Sequence, residues 1–365
     1  MAHELTIRQN GTVEMAYAGA VPWHGLGAKL DENTDLDTWI KSAGMDWRIQ
    51  RAKVRFATER NQEGDTTAWG TMDDNHVLMR SDTKAPLGIV SDNYKVVQPK
   101  AVLEFFRDLV GAAGFTLSTA GTLFGGRRFW ALASIGDAAM ILDPRDKVKG
   151  NLLLCTSADG TMATEARFVS ERVVCANTLA VARGEGSAKV KITHRSVFRE
   201  AGVKKELGVN LGGEFETFIG DMRRLATIRL SDTAMMMATA ELLKPGAAQL
   251  AADELATVLK SKPVQRINEL AIDQRGAIGG QFEGVRGTAW GWLNAVTQYV
   301  DHDARARSQD NRLNSAWFGT GDGLKTRARE LVMAGGETVE RIEDQLAADG
   351  GRLLDSVLQS WSSRK

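Results

Sequence analysis

The sequence predicts an α+β fold, with an antiparallel sheet and a β-β-β-α-type core in the N-terminal half and an α-rich C-terminal half. Three observations carry that expectation. Gly125-Gly126 and Asp159-Gly160 each separate two apolar, β-prone runs, which is the pattern of a hairpin turn. The stretch WRIQRAKVRFA, 47–57, alternates apolar and basic residues at the strand period. Beyond residue 206 apolar residues recur at helical spacing, so the chain divides into 1–205 and 206–365.

The elements follow in order. Pro22 with Gly19, Gly25 and Gly27 predicts an ordered, non-helical lead-in. Within it, Trp23-His24 reads as a core edge and a backbone hydrogen bond rather than a ligand site. Residues 34–44 predict a short helix capped by Thr34 or Asp35 and stopped by Gly44. Residues 47–56 predict a half-buried strand with a basic outer face, and 76–80 and 87–91 two more strands. Residues 100–110 carry the apolar stripe of an amphipathic helix. Four strands are expected near 115–123, 127–135, 151–157 and 163–170, followed by a helix-compatible VVCANTLAVAR in which Asn177 and Thr178 are poor helix formers. KVKITHR, 189–195, reads as a basic edge strand. Helices are expected through 213–230, 232–243, 247–261, 287–302, 324–335 and 341–359. The run Met235–Met237 reads as gap-filling core, or alternatively as an interaction surface.

Composition narrows the function classes. Lys+Arg and Asp+Glu are both 46, so the chain is neutral overall and any anion-binding surface must be local. The segment 167–205 supplies such a local excess, with nine bases against three acids. Cys155 and Cys175 both sit in apolar runs, as buried reduced thiols of a cytoplasmic protein do. No apolar run approaches the length of a membrane span, and the N-terminus has no signal-peptide core.

Tests for catalytic motifs argue against the common chemistries. The five histidines are scattered and the two cysteines lie 20 apart, so no metal site is expected. Asp301-His302-Asp303 is the densest cluster and reads as a polar helix end. There is no Gly-x-Ser-x-Gly, and Cys175 near His194 reads as an inert thiol. Gly319–Lys325 superficially resembles a phosphate loop, but Leu324 separates the last glycine from the lysine. No cofactor is expected. Arg127, Arg128 and Trp130 share one strand, with Arg128 and Trp130 on the same face. An aromatic beside a cation suits single-stranded nucleic acid; Trp130 in the core with solvated arginines is the equally open alternative. The lysines at 189 and 191 read either as phosphate contacts or as charges that protect a sheet edge.

PWHGLGAKL (22–30), LGIVSDNYKVVQP (87–99), AGTLFGGRRFWALA (120–133), RVVCANTL (172–179), GTAWGWLNAVTQYVDH (287–302) and SAWFGTGDGLK (315–325) resemble the phage/plasmid-like protein family. That family is defined by a conserved domain of unknown function of phages, plasmids and bacteria. The strand order followed by a helix, with basic residues along one face, also looks like the core of the single-strand annealing superfamily. That resemblance implies homo-oligomeric rings or filaments, single-stranded DNA held by its backbone, and no ATP or metal. The residues expected to contact DNA are then Arg127, Arg128, Arg167, Arg172, Lys189, Lys191 and Arg195, with Trp130 stacking. The expected role is single-stranded DNA binding and annealing in phage or plasmid recombination or replication. A non-catalytic assembly module is the alternative, and an enzyme using Asp301, His302, Asp303 and the Gly319–Lys325 stretch a third.

Overall fold

The computed structural model describes residues 5–8, 10–19, 26–113, 115–172, 177–180, 189–206, 211–306 and 309–334. The first half contains β1 (Met15–Ala18), β2 (Ala28–Leu30), α1 (Leu36–Ser42), β3 (Ile49–Arg60), β4 (Thr66–Arg80), β5 (Pro86–Ser91) and α2 (Pro99–Ala113). It continues with β6 (Phe115–Leu123), β7 (Arg128–Met140), β8 (Lys147–Ser157), β9 (Thr164–Arg172), β10 (Asn177–Ala180), β11 (Lys189–Ile192) and α3 (Glu200–Glu206). The second half contains α4 (Leu211–Thr227), α5 (Asp232–Leu243), α6 (Ala252–Leu259), α7 (Lys262–Ala271), α8 (Ala289–Gln298), α9 (Gln309–Phe318) and α10 (Thr320–Met333). The α+β expectation holds: strands dominate the first half and helices the second.

The large sheet has the order β10-β9-β8-β7-β6-β1-β2, with β11 also paired to β9, and only β1–β2 is parallel. Strands β3, β4 and β5 form a separate antiparallel sheet. The turns follow from local chemistry. Phe124, Gly125 and Gly126 all have positive φ between β6 and β7, a conformation glycine adopts without steric cost. A Cβ on Gly126 would also lie 2.7 Å from the Trp47 ring. Asp35 caps α1 by accepting from the Thr38 N–H at 2.9 Å, and Ser231 and Thr288 do the same for α5 and α8.

Both faces of the large sheet are covered. Alternate residues of β7 enter two different cores: Phe129, Ala131 and Ala133 the larger, Trp130 and Leu132 the smaller. The larger core runs from Phe105 and Phe106 of α2 to Phe218, Trp290 and Trp292 of the later helices, so the two halves share it. On the opposite face Trp317 of α9 packs edge-on against Trp130, with ring centroids 6.2 Å apart. Strands sandwiched in this way need apolar residues at consecutive positions, which is why β8 reads Leu152-Leu153-Leu154-Cys155. Met235, Met236 and Met237 are buried core residues.

One expected element changes type. Residues 177–180, read from sequence as part of a helix, form β10 and pair antiparallel with Val169–Arg172. The open edge of β9 supplies hydrogen bonds to a stretch whose Asn and Thr disfavour a helix. The rest of that segment, with Cys175, lies outside the described residues, as do Trp23, His24 and the helix expected at 341–359. Among the described residues no helix is long and apolar enough to cross a membrane.

The small sheet is fixed to the large one by a buried ion pair. Arg80, at the end of β4, donates to both carboxylate oxygens of Glu14 at 2.6 and 3.0 Å, and Trp47 stacks on its guanidinium at 4.2 Å. Asp82 and the Gly125 carbonyl take its other donors. Glu14 also receives Arg8 and the Thr122 hydroxyl. Glu14→Ala strands Arg80 on one side, and it is expected to lower the unfolding free energy by about 3 kcal/mol in urea titrations. Glu14→Ala combined with Arg80→Met is expected to recover part of that loss. A single-variant loss under about 1 kcal/mol would contradict the role given to this pair.

Candidate nucleic-acid interface

The residues named from sequence separate into two groups. Arg172 is only slightly exposed, and its Nε donates to Asp146 at 2.6 Å. Its other nitrogens reach the Ile278 and Gly279 carbonyls at 3.0 and 3.3 Å. Arg167 is buried and paired with Asp322 of α10 at 2.6 Å. Trp130 is 2% exposed, so its ring is not presented to a base. For these three the expectation of a solvent-facing platform is corrected: α9 and α10 cover Trp130 and Arg167, and Arg172 packs against Trp290 of α8 and the loop at 278–279. The described side chains do not include Lys189, whose backbone belongs to β11.

The remaining four are accessible. Arg127 is exposed at the β6–β7 turn. Arg128 is half-buried and donates to the Thr161 hydroxyl at 3.0 Å. Lys191 and Arg195 are exposed and line an open groove of about 830 Å³. The groove lies between two sheet edges, β5 on one side and β11 with the residues after it on the other. The turn 159–163 between β8 and β9 and the loop after β5 complete it.

The local sequence explains how these pieces meet. Gly88 lets β5 approach the turn, since a Cβ there would lie 2.7 Å from the Asp159 backbone. Asp159 closes the turn by accepting from the Thr161 N–H and hydroxyl at 2.9 and 2.6 Å. Tyr94 and His194 stack with ring centroids 4.3 Å apart. The Tyr94 hydroxyl donates to the Ser157 carbonyl at 2.8 Å, and burial pushes its phenol up to about 12, so it stays neutral and holds that bond throughout the physiological range. The His194 ring nitrogens lie 2.9 Å from the Lys95 carbonyl and 3.1 Å from the Met162 carbonyl. The groove is thus bolted together by aromatic stacking and backbone hydrogen bonds rather than by charge pairing.

Its charge remains available. Among the described residues, the charged lining is Lys95, Lys191 and Arg195 against Asp159, and all three cations are exposed. Lys95 was not singled out in the sequence. Its position just after a strand, in SDNYKVVQP, was the only signal, and the partner wall lies about a hundred residues further on.

The third set of sequence candidates is structural. Gly319–Lys325 is the N-cap and first six residues of α10, not a loop. Lys325 is buried and pairs with Asp301 at 2.7 Å, and Asp303 pairs with Arg266 at 2.8 Å. These contacts tie Asp301, Asp303 and Lys325 into the packing of the helical half. Among the described residues no group of His, Cys, Asp and Glu is arranged to hold a metal ion.

Burial predicts opposite phenotypes for two arginines. Arg172→Ala is expected to cost about 3–5 kcal/mol of stability, because Asp146 is left buried. Arg195→Ala is expected to stay within about 0.5 kcal/mol of the parent. Paired chemical-denaturation curves read both values, and equal costs would refute this division.

A family model described as Domain of unknown function (DUF932) matches residues 86–317, more than half of the chain. No curated protein and no solved structure matches the chain.

Proposed function

The chain belongs to the family of the Domain of unknown function (DUF932), and we propose that this member binds single-stranded DNA in the groove between β5 and β11 and anneals complementary strands without hydrolysing a nucleotide. The observation that carries the reading is the convergence of exposed Lys95, Lys191 and Arg195 on an open groove with a single carboxylate. Cations lining one groove attract the phosphate backbone and would leave the bases outward, free to pair. Arg128, through Thr161, sits at the groove's rim. Phage or plasmid recombination or replication in a bacterial cytoplasm is the setting that the sequence resemblance suggests.

Self-assembly belongs to the same proposal. The outer face of the small sheet presents Phe56, Met72 and Ile89, which are 49%, 46% and 60% exposed. Apolar area of this kind favours association. Sedimentation velocity is expected to show an oligomer that Met72→Ser with Ile89→Ser converts towards monomer. A wild-type monomer at all accessible concentrations would remove the ring or filament.

Binding is tested by fluorescence anisotropy of labelled oligo-dT across a salt series. The parent is expected to bind at low salt, with affinity falling as salt rises. Replacing Lys95, Lys191 and Arg195 together with alanine is expected to lower the salt slope by about 2. Failure of the folded parent to bind at low salt would end the proposal. So would binding that the triple variant leaves unchanged.

A further inference from the structure

We infer that the β3–β4 hairpin is a second DNA-contacting surface, with Trp69 as its base-stacking residue; this rests on the single-strand reading above. Beyond the groove the two strands run on as a projecting arm, where β3 packs principally on β4. Beyond the pairing with β5, β3 runs on from Val54 to Arg60, so the arm extends roughly 25 Å at strand rise.

The register assigns the two faces. Arg55 pairs with Thr71 and Ala57 with Trp69, so these four share a face, and strand alternation adds Lys53. Arg55 and Trp69 are diagonal neighbours, close enough for long side chains to meet one ligand. Trp69 is 60% exposed, and the residue opposite is an alanine too small to cover the ring. Lys53 and Arg55 are both exposed and lie about 7 Å apart along the strand. Toward the root, His76, opposite Lys53, contacts Asp92 at 2.6 Å. Asp73 and Asp74 lie in the β4 bulge between Met72 and His76.

The arm is joined to the groove rather than merely near it. Arg51, two residues before Lys53 on the same face, donates to the carbonyls of Asp92 and Tyr94. Those carbonyls belong to the loop that leads through Tyr94 and Lys95 into the groove. A strand leaving the groove past this loop meets Lys53, Arg55 and then the Trp69 ring. A cation next to an uncovered indole supplies phosphate attraction and stacking together, the combination that buried Trp130 does not offer.

The test compares short oligo-dT, sufficient for the groove, with long oligo-dT that reaches the arm, using anisotropy on the full chain. Trp69→Ala is expected to weaken the long probe about 5- to 100-fold and to leave the short probe unchanged. Trp69→Phe is expected to retain most of the affinity. Lys53→Ala with Arg55→Ala is expected to lower the salt slope for the long probe by about 1.4. Unchanged long-probe binding in both Trp69→Ala and the double variant, by a parent that binds through the groove, overturns the arm alone. Equal losses on short and long probes also overturn it. A folded parent that binds neither probe removes the arm together with the groove reading.

Discussion

The buried pair of Arg172 and Asp146 is the constraint on which much of the architecture depends. Asp146 ends the connection between β7 and β8, and Arg172 ends β9. The second Asp146 oxygen accepts the Trp290 indole N–H from α8 at 3.0 Å, while Arg172 reaches the carbonyls at 278 and 279. One ion pair therefore fixes the sheet end, a loop and the helical half in a single geometry. Arginine suits this position because its planar fork of donors meets several acceptors at set angles. Such a pair contributes little net stability over a well-packed apolar group, and its effect here is positional. It anchors β9, and β9 carries β11, the strand that forms one wall of the groove.

Arg80 and Glu14 do the equivalent for the other wall. Arg80 lies at the base of the small sheet, and Glu14 precedes the first strand of the large one. Gly44 is required beside them, since a Cβ there would fall 2.4 Å from the Glu14 side chain. Fixing Arg80 fixes β4, hence β5, and hence the edge that faces β11. The groove is thus a by-product of two internal ion pairs at opposite ends of the fold. Its own surface cations take no part in holding it open.

This division explains what the sequence could and could not disclose. Strand alternation, the Gly-Gly and Asp-Gly turns and the Asp35 cap are local signals, and the elements they predict are present. The fate of an arginine is not local. Arg167 finds its carboxylate 155 residues away, and Arg172 finds its carbonyls 106 and 107 residues away. A sheet strand with helices on both faces gives Trp130 the same neighbours in sequence as an exposed platform would. The groove has walls about a hundred residues apart, so Lys95 was not associated with Lys191 and Arg195. Trp69 lay in plain view at strand period. Its exposure depends on the hairpin outrunning the body of the protein, which no pattern in the hairpin itself records.

The charge count of the 167–205 segment also changes meaning. Nine bases against three acids suggested a strong local field. Arg167 and Arg172 are neutralised internally; among the described residues the segment gives the groove Lys191 and Arg195, which Lys95 joins from the opposite wall against Asp159. A field of that size engages few phosphates per chain, and each chain alone would hold a strand weakly at physiological salt. Under the proposed single-strand function, tight but reversible capture would come from several chains along one strand, where linked weak sites gain effective concentration. A neutral protein with a modest groove and an exposed apolar sheet face is built consistently for that regime. On that proposal, strands held weakly at each site and firmly in sum would exchange register while they search for their complement.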